Sequence, residues 1–147
     1  LLPLRDAALA GKLDDWRDTP EGSLALLILF DQVPRNCCRG KAEAFATDIL
    51  ARSVARAAID RGFDRGFDDE HRVFFYLPFE HSEHIGAQLL SLALFGSMPG
   101  RTEWLRYAER HAEIIQRFGR FPHRNKALGR SSTPEEIAFL NEPMSSF

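Results

Sequence analysis

An apolar helix with no polar face constrains the fold of this chain more than any other feature. Thr19-Pro20-Glu21 marks its start, with Thr as the N-cap, Pro at the first helical position and Glu near the positive end of the helix dipole. The run that follows, LALLILF at residues 24–30, is apolar throughout and poor in β-branched residues, which favours a buried helix over a buried strand. It is far shorter than the ~20 residues of a membrane helix. We predict that this helix lies at the centre of the fold and that Pro34 ends it.

Helical spacing of apolar residues predicts further helices over most of the remaining chain. They are expected at residues 3–13, 41–60, 68–77 (with Pro78 after it), 80–95 and 101–118, and from the capping box Thr133-Pro134-Glu135-Glu136 through Leu140. No stretch makes a convincing strand. We therefore predict an all-α fold of about seven helices in stacked antiparallel pairs, resembling tetratricopeptide proteins or an α–α superhelix.

Size and composition predict one compact soluble domain over residues 1–147. The chain has 147 residues, of which 44% are hydrophobic and 27% charged, and no linker is long enough to divide it. Because it begins at Leu1 without Met, we expect that an N-terminal segment of the natural chain is missing. The net charge of -2 gives no support for a nucleic-acid or membrane partner.

Two adjacent cysteines, Cys37 and Cys38, form no disulfide framework and fit a reducing compartment. With no signal peptide in view, we predict a cytoplasmic protein. The sequence also lacks the glycine-rich nucleotide loops and the serine elbow of hydrolases. We expect no cofactor.

A basic segment at residues 114–134, IIQRFGRFPHRNKALGRSSTP, contains no carboxylate. Glycine and proline break it into a shaped loop that carries five cations, one histidine and one asparagine: Arg117, Arg120, His123, Arg124, Asn125, Lys126 and Arg130. Guanidinium groups suit carboxylates and phosphates, so this segment needs anionic partners from the same chain or from a ligand.

A polar cluster follows the apolar helix directly: Asp31, Gln32, Arg35, Asn36 and Arg39. Two interpretations remain open. Asp31 and Arg35 pair with the basic segment and hold its shape, or the cluster lines one wall of a cleft.

A second cluster is the string EHSEH at residues 80–84. On the predicted helix, Glu80 shares a face with His84, and so does His81. Such spacing can bind zinc, can supply a general acid or base, or can simply pack. No H-E-x-x-H motif is present, and we predict no metal site. His111 lies on the apolar stripe of the helix at residues 101–118 and is expected to be a core histidine unless it faces His81 or Glu80.

The strings LALLILFDQVPRNCCRG, AFATDILA, FFYLPFEHSE and HAEIIQRFGRFPHRNKALGRSSTPEEIAFL resemble the bacterial "domain of unknown function 924" family over nearly the whole chain. The resemblance implies a tetratricopeptide-like helical fold and no established activity. Its marked blocks match the two clusters, His111 and the basic segment. Val33 and the cysteine pair depart from the family pattern, which weakens any role for the thiols.

Three functional hypotheses follow. In the first, a binding module holds an anionic small molecule or an acidic peptide in a cleft; the ligand-binding candidates are Asp31, Arg35, Asn36, Arg39, Glu83, Arg117, Arg120, His123, Arg124, Asn125 and Arg130. In the second, the chain is an enzyme in which His81 or His111 acts as general acid or base beside Glu80. In the third, the polar blocks form an internal network and the protein is a scaffold.

Overall fold

The structure is a computed structural model that describes residues 1–100 and 102–147. These residues form helices and turns, with no strand among them. The α-helices are α1 (Leu2–Leu9), α2 (Pro20–Leu27), α3 (Val33–Cys37), α4 (Asp48–Asp60), α5 (Asp69–Glu80), α6 (Ile85–Gly96), α7 (Thr102–Phe118) and α8 (Pro134–Leu140). A π-helical segment, Ile28–Gln32, joins α2 to α3 into one helical stretch, so the prediction of an all-α fold with about seven helices is confirmed. Among the described residues, no helix is both long and apolar enough to span a bilayer.

The described chain divides into two compact units. Unit 1 comprises Leu1–Arg39 and Glu43–Phe79, and unit 2 comprises Gly40–Ala42 and Glu80–Phe147. The predicted single domain over residues 1–147 stays a prediction. Arg101, the predicted start of α7, lies outside the described residues.

The central helix of unit 1 does not end at Pro34 as predicted. Pro34 lies in the first turn of α3, and the helical stretch continues to Cys37. Proline has no N–H, so the carbonyl of Phe30 four residues earlier loses its usual helical donor. The hydroxyl of Thr47, which precedes α4, donates to that carbonyl at 2.5 Å. The cost of a proline inside the stretch is thus offset by a donor from another part of unit 1.

Helix α4 begins later than the sequence predicts, since residues 42–44 form a 3₁₀ turn and the helix starts only at Asp48. Its buried face, with Ala51, Val54 and Ala55, packs against α2. The apolar helix is buried at Leu26 and Leu27, as predicted.

Unit 2 is built on the helical hairpin of α6 and α7, followed by the basic segment and α8. The capping box that opens α8 is present: Thr133 Oγ1 accepts from the Glu136 N–H, and Glu136 accepts from the Thr133 N–H. Gly119 ends α7 with a φ of 71°, in the left-handed region that glycine enters without strain. The core of this end of the unit is Ile114, Ile115, Phe121 and Phe139, with Phe118 packed against it.

The predicted helix at residues 80–95 is wrong in its first turn. Helix α5 contains Pro78 in its last turn and runs to Glu80, and α6 starts only at Ile85. The buried amide of Gln88 donates to the carbonyls of Glu80 at 2.6 Å and Ser82 at 2.7 Å, which satisfies the polar end of α5. His84 is the N-cap of α6, and its Nδ1 accepts from the Gly86 N–H. His84 therefore does not share a helical face with Glu80 or His81.

Candidate functional site

Two arginines of the basic segment are held by carboxylates of unit 2. Arg120 donates from Nε to Glu136 Oε2 at 2.9 Å and from Nη2 to Glu136 Oε1 at 2.8 Å. Arg130 donates from Nη1 and Nη2 to the two oxygens of Glu83, at 2.9 and 3.0 Å. Both ion pairs are bidentate, which is the strongest arrangement of a guanidinium with a carboxylate. These two predicted ligand-binding arginines therefore shape the segment.

Glu83 also anchors the backbone of the basic segment. Its Oε2 accepts from the Phe121 N–H at 2.6 Å, and Arg130 in turn donates to the Phe121 carbonyl at 3.1 Å. Burial disfavours the charged form of Glu83, but the Arg130 guanidinium and the Phe121 N–H outweigh it and lower the pKa of this carboxyl. Glu83 is thus held as a carboxylate, in an internal role.

Glu136 is the second anchor, and the sequence indicates it only as part of a capping box. Besides Arg120, its carboxylate accepts from the Thr133 N–H at 2.9 Å and from Asn125 Nδ2 at 3.3 Å. Hydrogen bonding from Arg120 is the main cause that lowers the pKa of Glu136 to about 2. Asn125 is buried, and its Oδ1 accepts from Arg130 Nε at 3.0 Å, so this predicted ligand residue joins the two anchors.

Arg117 and Arg124 have different surroundings. The exposed Arg117 guanidinium lies 4.6 Å from the ring centre of Phe118, beside an open groove of about 520 Å³ whose lining also includes Arg120, Thr133, Glu135 and Glu136. Arg124 is buried, lies 4.6 Å from the ring centre of Phe121 and donates to the His81 carbonyl at 2.7 Å. Arg124 therefore brings a positive charge to the region of His81.

His111 comes together with the sequence neighbours Glu80 and His81 in unit 2, although it is distant from them in sequence. The ring centres of His81 and His111 are 6.1 Å apart, and His111 Nδ1 lies 3.9 Å from Glu80 Oε2. Each residue offers one ligand atom, and the three atoms lie within 4.8 Å of one another. From the sequence, we expect a site role for His111 only if it faces His81 or Glu80. In the structure it lies close to both.

His111 is a buried and oriented imidazole. Its Nδ1 lies 2.7 Å from the Tyr107 carbonyl, which can only accept, so Nδ1 carries the hydrogen and Nε2 the lone pair. Burial first, and then the neighbouring His81, lower the pKa of His111 to about 3; His123 and Arg124 act in the same direction. The ring is therefore neutral at physiological pH.

Aromatic rings enclose one side of this cluster. The His111 ring lies 3.9 Å from the ring of Phe147 and 5.5 Å from that of Phe121. The half-buried ring of His123 lies 5.7 Å from the ring of Phe121 and 5.8 Å from that of Phe147. We call Glu80, His81, His111 and His123 the histidine cluster.

Two of the predicted site residues of unit 1, Asp31 and Arg35, form an ion-pair network with Asp48. Arg35 donates to both oxygens of Asp48, at 2.7 and 2.9 Å, and lies 3.2 Å from Asp31 Oδ1. Burial disfavours the charge on Arg35, but the two aspartates outweigh it and raise its pKa. Asn36 and Arg39 are exposed. Asp31 and Arg35 thus pair within unit 1, together with an aspartate from the start of α4.

The comparisons with known proteins give a family and a fold. The profile of the family described as "Bacterial protein of unknown function (DUF924)" matches residues 2–144. The solved structure of a protein of unknown function from Agrobacterium tumefaciens is similar, with a TM-score of 0.90 and 49% identity over 95% of this chain and 78% of that one. No curated protein has significant similarity to this chain.

Proposed function

This chain belongs to the bacterial DUF924 family of proteins of unknown function, and we propose that it binds a small anionic molecule at the histidine cluster of unit 2. The observation that carries the proposal is the gathering of Glu80, His81 and His111, with ligand atoms within 4.8 Å of one another. Ionisable groups concentrated beside a buried carboxylate are typical of functional sites.

The charges of the surroundings favour an anion. Arg124 is buried beside His81, and His81 and His123 are half-buried imidazoles that gain positive charge when protonated. Against these, the cluster has one carboxylate, Glu80. A carboxylate or phosphate group entering at His81 and His123 would meet donors and a positive potential.

Ion pairs within unit 2 reduce the number of arginines that are available to a ligand in the predicted cleft. Arg120 and Arg130 have carboxylate partners at 2.8–3.0 Å, so a ligand would have to displace Glu136 or Glu83 to reach them. We therefore assign these arginines the role of holding His123 and Arg124 in place. The third hypothesis, an internal polar network, therefore explains the role of these two arginines of the basic segment.

An enzyme is the second candidate, and the separation of Glu80 and His111 favours it. A buried carboxylate next to a neutral imidazole, here with 3.9 Å between Glu80 Oε2 and His111 Nδ1, can accept a proton from a bound molecule. Glu80 would then act as the base, His111 would remain neutral, and Arg124 would orient the anionic part of the substrate.

The test compares ligand binding by the wild type and by His123→Gln, which removes the titratable ring but keeps a polar side chain. Inorganic phosphate and short dicarboxylates are added in thermal-shift and calorimetric titrations. We expect a ligand to raise the melting temperature of the wild type by mass action, and His123→Gln to bind at least tenfold more weakly. The matched control is His71→Gln, an exposed histidine of unit 1 that pairs with Asp68.

Two outcomes would count against the proposal. One is a wild type that none of these anions stabilises. The other is equal binding by the wild type and His123→Gln. The tetratricopeptide-like stacking of the helices and a cytoplasmic location are further proposals that rest on the sequence.

A further inference from the structure

We infer that Glu80, His81 and His111 bind a divalent transition-metal ion, and that zinc suits this ligand set best. The inference concerns the same site as the proposed function, but it can be tested with the metal alone. Two imidazoles and one carboxylate are among the ligand sets that proteins use for catalytic zinc. Neither the helix positions of these residues nor a sequence motif indicates the site, because Glu80 is the last residue of α5, His81 follows it in the turn, and His111 lies in the middle of α7.

The distances are close to those that coordinate a metal. In a tetrahedral zinc site, with bonds of about 2.0–2.2 Å, ligand atoms are roughly 3.3–3.6 Å apart. Here the ligand atoms lie within 4.8 Å of one another. The ligand atoms would therefore have to approach one another by up to about 1.5 Å to close the site.

The burial of the cluster also favours a metal. Glu80 and His111 are each 4% exposed, so the carboxylate has little access to bulk water. Buried charges in proteins are paired with other groups or coordinate metals. The Nδ1 hydrogen of His111 is directed to the Tyr107 carbonyl at 2.7 Å. Ligating histidines commonly make such a bond with the nitrogen that does not coordinate, because it fixes the ring and leaves the other nitrogen unprotonated.

The three ligands would leave one position of a tetrahedral ion open. In zinc enzymes, water or substrate takes this position. His123 belongs to the histidine cluster and Arg124 lies beside it, where it donates to the His81 carbonyl, but neither is among the three ligands. The positive charge of Arg124 weakens the binding of a cation but favours an anion as the fourth ligand. The metal and the proposed anion would then occupy adjacent parts of one site.

The experiment titrates metal-free protein with Zn²⁺ in equilibrium dialysis, and with Co²⁺ while its visible absorption is recorded. We expect one ion per chain and the intense spectrum of four-coordinate cobalt. Glu80→Gln and His81→Gln, each folded by circular dichroism, should bind at least tenfold more weakly. His84→Asn is the matched control, since it removes a nearby histidine from outside the set and keeps an N-cap residue for α6.

Absence of stoichiometric binding by the wild type would overturn the inference, as would equal binding by Glu80→Gln and His81→Gln. The two proposals can fail separately. If zinc binds but phosphate and dicarboxylates bind neither the free nor the zinc-loaded protein, the proposed function fails alone. If anions bind in the presence of chelator and zinc does not, the metal inference fails alone.

Discussion

Replacing Glu136 with Gln should destabilise unit 2 by about 2 kcal/mol at pH 7. Glutamine keeps the shape of the side chain and one oxygen for the Thr133 N–H, but it presents an amide group to Arg120. The charge-assisted bonds from Arg120, at 2.8 and 2.9 Å, would be lost or weakened.

The magnitude follows from the pKa of this carboxyl. Its fall from the ordinary 4.5 to about 2 corresponds to roughly 3.5 kcal/mol, at about 1.4 kcal/mol per pH unit. The Arg120 side chain is 30% exposed, so solvent screens part of the interaction and about 2 kcal/mol remains.

The same carboxyl determines the sign of the pH dependence. Because the folded pKa of Glu136 lies below its unfolded value, its contribution is fully present above about pH 4.5. It is lost as the pH falls through the folded pKa, near 2. The stability of the wild type should therefore decrease over this range more steeply than that of Glu136→Gln.

Urea unfolding at pH 7 and at pH 3, followed by circular dichroism, would measure both effects, and urea leaves the charges unscreened. Glu135→Gln removes the same charge from an exposed neighbour in the same helical turn, and should cost less than about 0.5 kcal/mol. Equal losses for the two variants, or parallel pH profiles for Glu136→Gln and the wild type, would refute the reasoning.

Two further predictions concern unit 1. Thr47→Val should cost about 1–3 kcal/mol in urea unfolding, because the buried Phe30 carbonyl loses its donor; an unchanged unfolding midpoint would contradict this. Burial, followed by the bond to Asp64, raises the pKa of Tyr76 to about 12, so its contribution to stability is complete below pH 10 and is lost between pH 10 and 12. In Tyr107→Phe, tyrosinate absorbance should report a midpoint near 12, and a midpoint near 10 in the folded protein would show that Tyr76 is not held as described.

The helices could be predicted wherever their own residues carry the signal. The capping box at Thr133 and the apolar stripe of α7 are local patterns, and both are present. Pro34 and Pro78 both misled the prediction, since each lies inside a helix that continues past it. Whether a proline ends a helix depends on what satisfies the carbonyl it leaves free, and for Pro34 the donor is Thr47, a residue outside the helix.

The sequence indicates which types of residue form the site, but it does not show which of them pair with one another. The excess of cations in the basic segment indicates that it needs anions, yet spacing cannot show that Arg120 meets Glu136, 16 residues later. The approach of His111 to Glu80 likewise depends on the packing of unit 2. Histidine on an apolar stripe is only a conditional signal, because a core histidine has the same pattern.

Glu83 makes a non-covalent cross-link between two distant parts of unit 2, and this link responds to solution conditions differently from a disulfide. It joins the turn before α6 to Phe121 and Arg130, which lie 38 and 47 positions further along the chain. A disulfide across such a span would restrict the unfolded chain as well, whereas this link exists only while the loop is folded and leaves the entropy of the unfolded chain unchanged. Reducing agents have no effect on it, but acid and concentrated salt weaken it. The link between the turn before α6 and the basic segment should therefore weaken under acidic or high-salt conditions, irrespective of the redox state of the medium.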